Sequence, residues 1–151
     1  HEERYERFME LKAPELLGID DFQFSRVMRF NYFGIEGIYN KQPVKINKTL
    51  TAVHGHEFSK SVFSPVNPAR GLFLRTGGQT AICGHYHNTS EHSQKNINGE
   101  IITCWSQGCL CDLHPRYRPI NKWNHGFSII DTKSDDMFVV DNKKIINGQI
   151  V

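Results

Sequence analysis

No stretch of this chain is apolar for long enough to cross a bilayer, which takes about 20 consecutive apolar residues in a helix. The N-terminal HEERYERFMELK is charged along its length and lacks the apolar core of a secretory signal. The four cysteines, at 83, 104, 109 and 111, contain no paired C-x-x-C knuckle. Without a secretory signal, reduced free thiols are expected rather than a disulfide framework. A strong charge of either sign is missing as well. The net charge is +2 and the pI near 8.4, too mild to argue for nucleic-acid binding through charge alone. Gly77-Gly78 stands outside any G-x-x-x-x-G-K-[ST] or G-x-G-x-x-G pattern, which excludes a phosphate-cradling loop of those kinds. There is no G-x-S-x-G elbow for a serine hydrolase.

What remains is the balance of a soluble globular chain, 38% hydrophobic and 23% charged over 151 residues. That length is enough for one domain with a real core. Histidine is the residue in excess. Of eight, four fall in two tight pairs, His54-Gly-His56 and His85-Tyr-His87.

The periodicity predicts an amphipathic helix over Glu2–Lys12, with Tyr5, Phe8 and Met9 on one face and Pro14 stopping it. A short helix near Pro14–Leu17 would end at Gly18. Phe33–Tyr39 and Val44–Ile46 read as two short strands around a polar turn. Thr49–Val53 and Thr80–Cys83 are apolar, β-branched runs, the first followed at once by His54-Gly-His56 and the second by Gly84-His85-Tyr-His87. Between them, residues 57 to 70 form a loop that feeds a helix from Pro68 to about Thr76. Further strands are expected at Ile101–Trp105, Phe127–Asp131 and Met137–Asp141, with a last hairpin arm in Asn142–Val151. The predicted class is α/β.

A histidine at the carboxyl end of a buried strand stands at the mouth of a sheet, where α/β folds build their sites. Glycine beside it lets the chain turn sharply. In His85-Tyr-His87 alternate residues of an extended segment point the same way, so both imidazoles could face one ion or two adjacent ones. Neutral imidazole suits zinc, manganese, iron or nickel.

The ordered set resembles the calcineurin-like metallophosphoesterases, phage and bacterial members in particular. His1-Glu2 is similar to the tail of that family's Gly-Asn-His-Asp/Glu motif, His54 of VHGH to its lone histidine after a strand, and Gly84-His-Tyr-His87 to its Gly-His-x-His. Gly108-Cys-Leu-Cys-Asp112, Pro115-Arg-Tyr117 and Trp123-Asn-His-Gly-Phe127 extend the resemblance to about residue 131.

The resemblance implies part of a four-layer αββα sandwich, with residues 1–151 as a single domain forming the C-terminal portion of the whole. It also implies a two-metal phosphoester hydrolase acting as a phosphatase, phosphodiesterase or nuclease. His54 and His85 would ligate one divalent ion and His87 the other. His1 would be the catalytic histidine that helps the leaving oxygen depart. His56 has no fixed role in the family and reads as a residue that backs the ligands or faces phosphate, and Arg116 as a substrate-facing group or part of a solvated loop.

The family's Asp-x-His and Gly-Asp-x-x-Asp motifs are missing from their places in the order, and so is the Gly-Asn ahead of His1. The expectation is therefore an active intact protein and an inactive 151-residue piece, which self-associates to cover an exposed edge or apolar face. A phosphoester is the expected substrate, and bacterial or phage-infected cytoplasm the expected location. The alternative is a non-catalytic interaction or scaffold module on the same fold. A third reading places structural zinc on Cys104, Cys109, Cys111 and His114, although their spacing favours ordinary buried thiols.

Overall fold

The structure is a computed structural model that describes residues 2–38, 42–56 and 66–151. It falls into two compact units, His1–Asn40 and Lys41–Val151. In the first, helix α1 spans Glu2–Lys12 and is followed by 3-10 turns at Pro14–Leu16 and Asp20–Phe22, then α2 (Phe24–Val27) and α3 (Phe30–Phe33). Tyr5 ties this unit together. Its hydroxyl donates to the Phe22 carbonyl at 2.7 Å, and its ring meets Phe24, which meets Phe30 edge-on. Of the three apolar residues expected on one face of α1, Met9 is buried while Phe8 is 58% exposed. The strand expected at Phe33–Tyr39 is not formed. Phe30–Phe33 turns as α3, capped by Gly34 in the left-handed region, and 34–38 has no regular structure, while Tyr39 lies outside the described residues.

The second unit is α/β. Its strands are β1 (Val44–Lys45), β2 (Thr51–Val53), β3 (Ala81–Cys83), β4 (Ser90–Lys95), β5 (Ile101–Ser106), β6 (Gly126–Thr132), β7 (Phe138–Ile146) and β8 (Gln149–Ile150), with α4 over Pro68–Arg75. A five-stranded sheet has the order β1-β2-β3-β5-β4, and a three-stranded sheet the order β6-β7-β8. The central strands β2, β3 and β5 run parallel, with Val53 opposite Cys83 and Cys83 opposite Ser106. The outer strands β1 and β4 are antiparallel to their neighbours.

Alternation along β3 decides what covers each face. Ala81 and Cys83 join Cys104, Ala69 and Leu72 in one cluster under α4. Ile82, between them, joins Leu50 and Trp105 on the other face, against Ile130, Phe138 and Val140 of the second sheet. A helix layer and two sheet layers therefore build this unit. Helix α4 starts cleanly because Pro68 follows an N-cap, Asn67, whose side chain accepts from the Arg70 amide at 3.0 Å. Asn142 ties the sheets together, donating from Nδ2 to the carbonyls of Ser90 and Ser106.

Strand β4, SEHSQK, has no counterpart in the sequence expectations. It is an edge strand with mostly solvated side chains, so no apolar alternation marks it. The expected C-terminal hairpin arm is present but begins later, because β7 runs through Asn142 to Ile146 before the turn.

Candidate metal centre

Both histidine pairs lie where parallel strands end. His54 follows β2 and His85 follows β3, and the two strands finish in register. The ladder continues past the strands, since the His54 carbonyl accepts from both the Gly84 and His85 amides, at 3.2 and 2.9 Å. Gly55 permits that closeness. It sits at φ +112, and a Cβ there would stand 3.2 Å from the β-carbons of both Cys83 and His85. The Tyr86 hydroxyl donates to the Gly55 carbonyl at 3.1 Å, fastening one loop to the other.

Three imidazoles gather there. The ring centroids of His54 and His56 are 4.5 Å apart, those of His54 and His85 4.8 Å, and those of His56 and His85 5.8 Å. His54 Nδ1 and His56 Nδ1 face each other at 2.5 Å, within hydrogen-bonding distance. All three residues are exposed. His56, expected to back the ligands, is thus in the same cluster as the two expected ligands His54 and His85.

His87 is not in that cluster. Its backbone is left-handed, at φ +54, and its ring packs edge-on against Trp123 with centroids 4.4 Å apart. Its Nδ1 lies 3.7 Å from Cys111 Sγ. Together His87, Cys109 and Cys111 bring their ligand atoms within 4.8 Å of one another. Burial lowers the His87 pKa, and the neighbouring His85 and Arg118 lower it further. Burial also pushes the Cys109 thiol up to about 11, with a hydrogen bond involving Cys111 adding to the rise.

Three backbone segments meet at Asn124. The Asn124 amide donates to the His87 carbonyl at 3.0 Å, and the Cys109 amide donates to the Asn124 carbonyl at 3.0 Å. The Gly126 amide donates to the Cys109 carbonyl at 3.1 Å, and His125 Nε2 lies 2.9 Å from the Cys111 carbonyl. Gly108 leaves room for this crossing, since a Cβ on it would come within 2.6 Å of the Gly126 amide nitrogen.

The other expected residues are placed as follows. His1 lies outside the described residues. Arg116 is exposed on the loop after Pro115. Arg118, two residues on, is the guanidinium that influences His87, and it lies over the Trp123 ring at 5.7 Å. The suggested quartet Cys104, Cys109, Cys111 and His114 does not come together as a unit. Cys104 is fully buried and donates to the Gln79 carbonyl, while His114 is exposed and its Nδ1 lies 3.3 Å from the Pro119 carbonyl. Nor are the three thiols all ordinary core residues, because Cys111 is exposed beside His87. Sequence reasoning missed that pairing, because only the fold brings the loop of Cys111 to His87.

On donor chemistry, the imidazole cluster suits a single borderline ion such as zinc or nickel, and the N-and-S group suits zinc. A two-ion centre bridged by a carboxylate does not fit these residues alone. The group of three found among the described residues contains no Asp or Glu.

No protein-family model matches this chain, and no curated protein matches it in sequence. Among solved structures it is similar to Vps29 from Entamoeba histolytica. The wild-type protein complexed with zinc is 13% identical with a TM-score of 0.46. A double mutant is 13% identical with a TM-score of 0.47, and a single mutant 14% identical with a TM-score of 0.46. Each match covers 78% of this chain and 60% of the other, so this chain spans 60% of the length of the structures it matches.

Proposed function

We propose that this chain supplies the histidine ligands of a metal-dependent phosphoester hydrolase. The observation that carries the reading is the convergence of His54, His56 and His85 at the carboxyl edge of adjacent parallel strands. A divalent ion held there would supply Lewis-acid activation of a phosphoester and of water. His54 and His85 would hold it, and His56, whose Nδ1 stands 2.5 Å from His54 Nδ1, would orient the His54 ring. Arg116 and Arg118 offer exposed guanidinium groups to a phosphate. His1 takes the part of the proton donor to the leaving oxygen. A two-ion reaction needs bridging carboxylates besides these histidines, and a longer form that carried the Asp-x-His and Gly-Asp-x-x-Asp motifs would provide them.

The test is hydrolysis of bis-p-nitrophenyl phosphate with manganese, by the 151-residue chain and by a longer form bearing the carboxylate motifs. Activity in the longer form alone, lost in its His54→Ala and His85→Ala variants, is the expected result. Equal rates in both forms would sink the assignment of the carboxylates. No activity in either form would favour a non-catalytic scaffold module.

A further inference from the structure

We propose that His87, Cys109 and Cys111 form a zinc site of their own, with ligands distinct from those of the His54–His56–His85 cluster. Zinc binds thiolate at about 2.3 Å and imidazole at about 2.0 Å in tetrahedral geometry, which places nitrogen and sulfur ligands about 3.6 Å apart. His87 Nδ1 and Cys111 Sγ already stand 3.7 Å apart. The widest separation within the group is no more than 4.8 Å, so closing on an ion takes a side-chain adjustment of about 1 Å relative to the tetrahedral sulfur spacing.

The frame is built before any ion arrives. The backbones of His87 and Cys109 are hydrogen-bonded to Asn124, and the Cys111 carbonyl is beside His125 Nε2. Trp123 packs against the His87 ring and sets its plane. One sequence segment therefore positions ligands from two different loops, in the way outer groups orient ligands at metal centres.

Two thiolates and one imidazole make a soft donor set that selects zinc over manganese or magnesium. Cys109 is buried and Cys111 exposed, which leaves the fourth position to solvent or a small exchangeable ligand. That is the arrangement of an open zinc site rather than a closed structural one. Binding displaces the thiol protons into solvent, so each equivalent of zinc bound releases acid.

Cobalt(II), which reports thiolate ligation through a near-ultraviolet charge-transfer band, is the probe, added to the whole chain and then displaced with zinc. The expected result is such a band in the unaltered chain and in His54→Ala, and its loss in Cys111→Ser. Cys111 is exposed, so that variant keeps the fold, and far-ultraviolet circular dichroism verifies it. Asn124→Ala, which loosens the frame and removes no ligand, lowers zinc affinity roughly 10-fold to 100-fold. A band that persists in Cys111→Ser, or cobalt bound with no such band, overturns the proposal. Loss of the band in a folded His54→Ala chain would overturn it too, by assigning the ion to the imidazole cluster.

Discussion

Asn124 and Thr89 are joined by reciprocal hydrogen bonds. The Thr89 amide donates to Asn124 Oδ1 at 2.8 Å, and Asn124 Nδ2 donates to Thr89 Oγ1 at 2.7 Å. The same Nδ2 also reaches the His125 carbonyl at 2.9 Å. One carboxamide thus spans 35 residues of chain and holds the end of the histidine loop against the start of β6.

Replacing Asn124 by alanine strands the Thr89 amide and the His125 carbonyl together. The expected loss is about 3 kcal/mol of unfolding free energy. Asn124→Asp keeps the acceptor for Thr89 and costs less. Urea melts of the three proteins give the order, and an alanine variant no weaker than the aspartate variant would contradict it.

Gly108 and Gly84 separate two uses of glycine beside the site. A Cβ on Gly108 would be driven into backbone of Asn124 and Gly126, while the nearest neighbour to one on Gly84 is a side-chain oxygen of Gln107 at 4.0 Å. Gly108→Ala is expected to destabilise by about 3 kcal/mol, and Gly84→Ala to stay within about 0.5 kcal/mol. Thermal melts compare them directly.

Ser106 ends β5 opposite Cys83, is fully buried, and its hydroxyl has no hydrogen-bond partner among the described residues. Removing an unsatisfied buried hydroxyl removes its desolvation cost. Ser106→Ala is expected to raise stability by about 1 kcal/mol. A lower midpoint in urea would show that the hydroxyl makes a bond worth keeping.

Burial raises the Cys104 pKa above the ordinary thiol value of 9.0. The folded chain therefore holds this proton to higher pH than the unfolded chain does. Stability from this group is intact below the ordinary value and declines as pH rises from there toward the folded value. Unfolding free energy measured across that alkaline range should fall more steeply in the parent than in Cys104→Ala, after allowance for the cavity. In the native state Cys111 should react with iodoacetamide well before Cys104.

Much of the sheet was legible because its strands are short apolar runs closed by histidine or glycine. TAVHGH and AICGHYH announced both β2 and β3 and the direction of their ends. The polar edge strand β4 carried no such mark, and its existence depends on the backbone partners that β5 offers. The segment after Phe33 looked extended from its aromatic and β-branched content, yet Gly34 closes a helical turn there. At the candidate site, residue types and strand ends singled out His54 and His85, whose ring centroids the structure brings within 4.8 Å of each other. Sequence alone did not divide His85 from His87, because an extended H-x-H implies one direction for both. The left-handed backbone at His87 breaks that alternation and turns its ring toward Trp123 and Cys111.

His85 and His87 are separated by Tyr86 alone, and one ring joins each cluster. Tyr86 is itself anchored on the Gly55 carbonyl. A ligand that draws His85 toward His54 must move the short segment that also carries His87. The affinities of the two clusters are then not separate quantities. Whatever factor occupancy of one imposes on the other is returned equally in the opposite direction, and calorimetric titrations run in both orders of addition would close the same thermodynamic cycle.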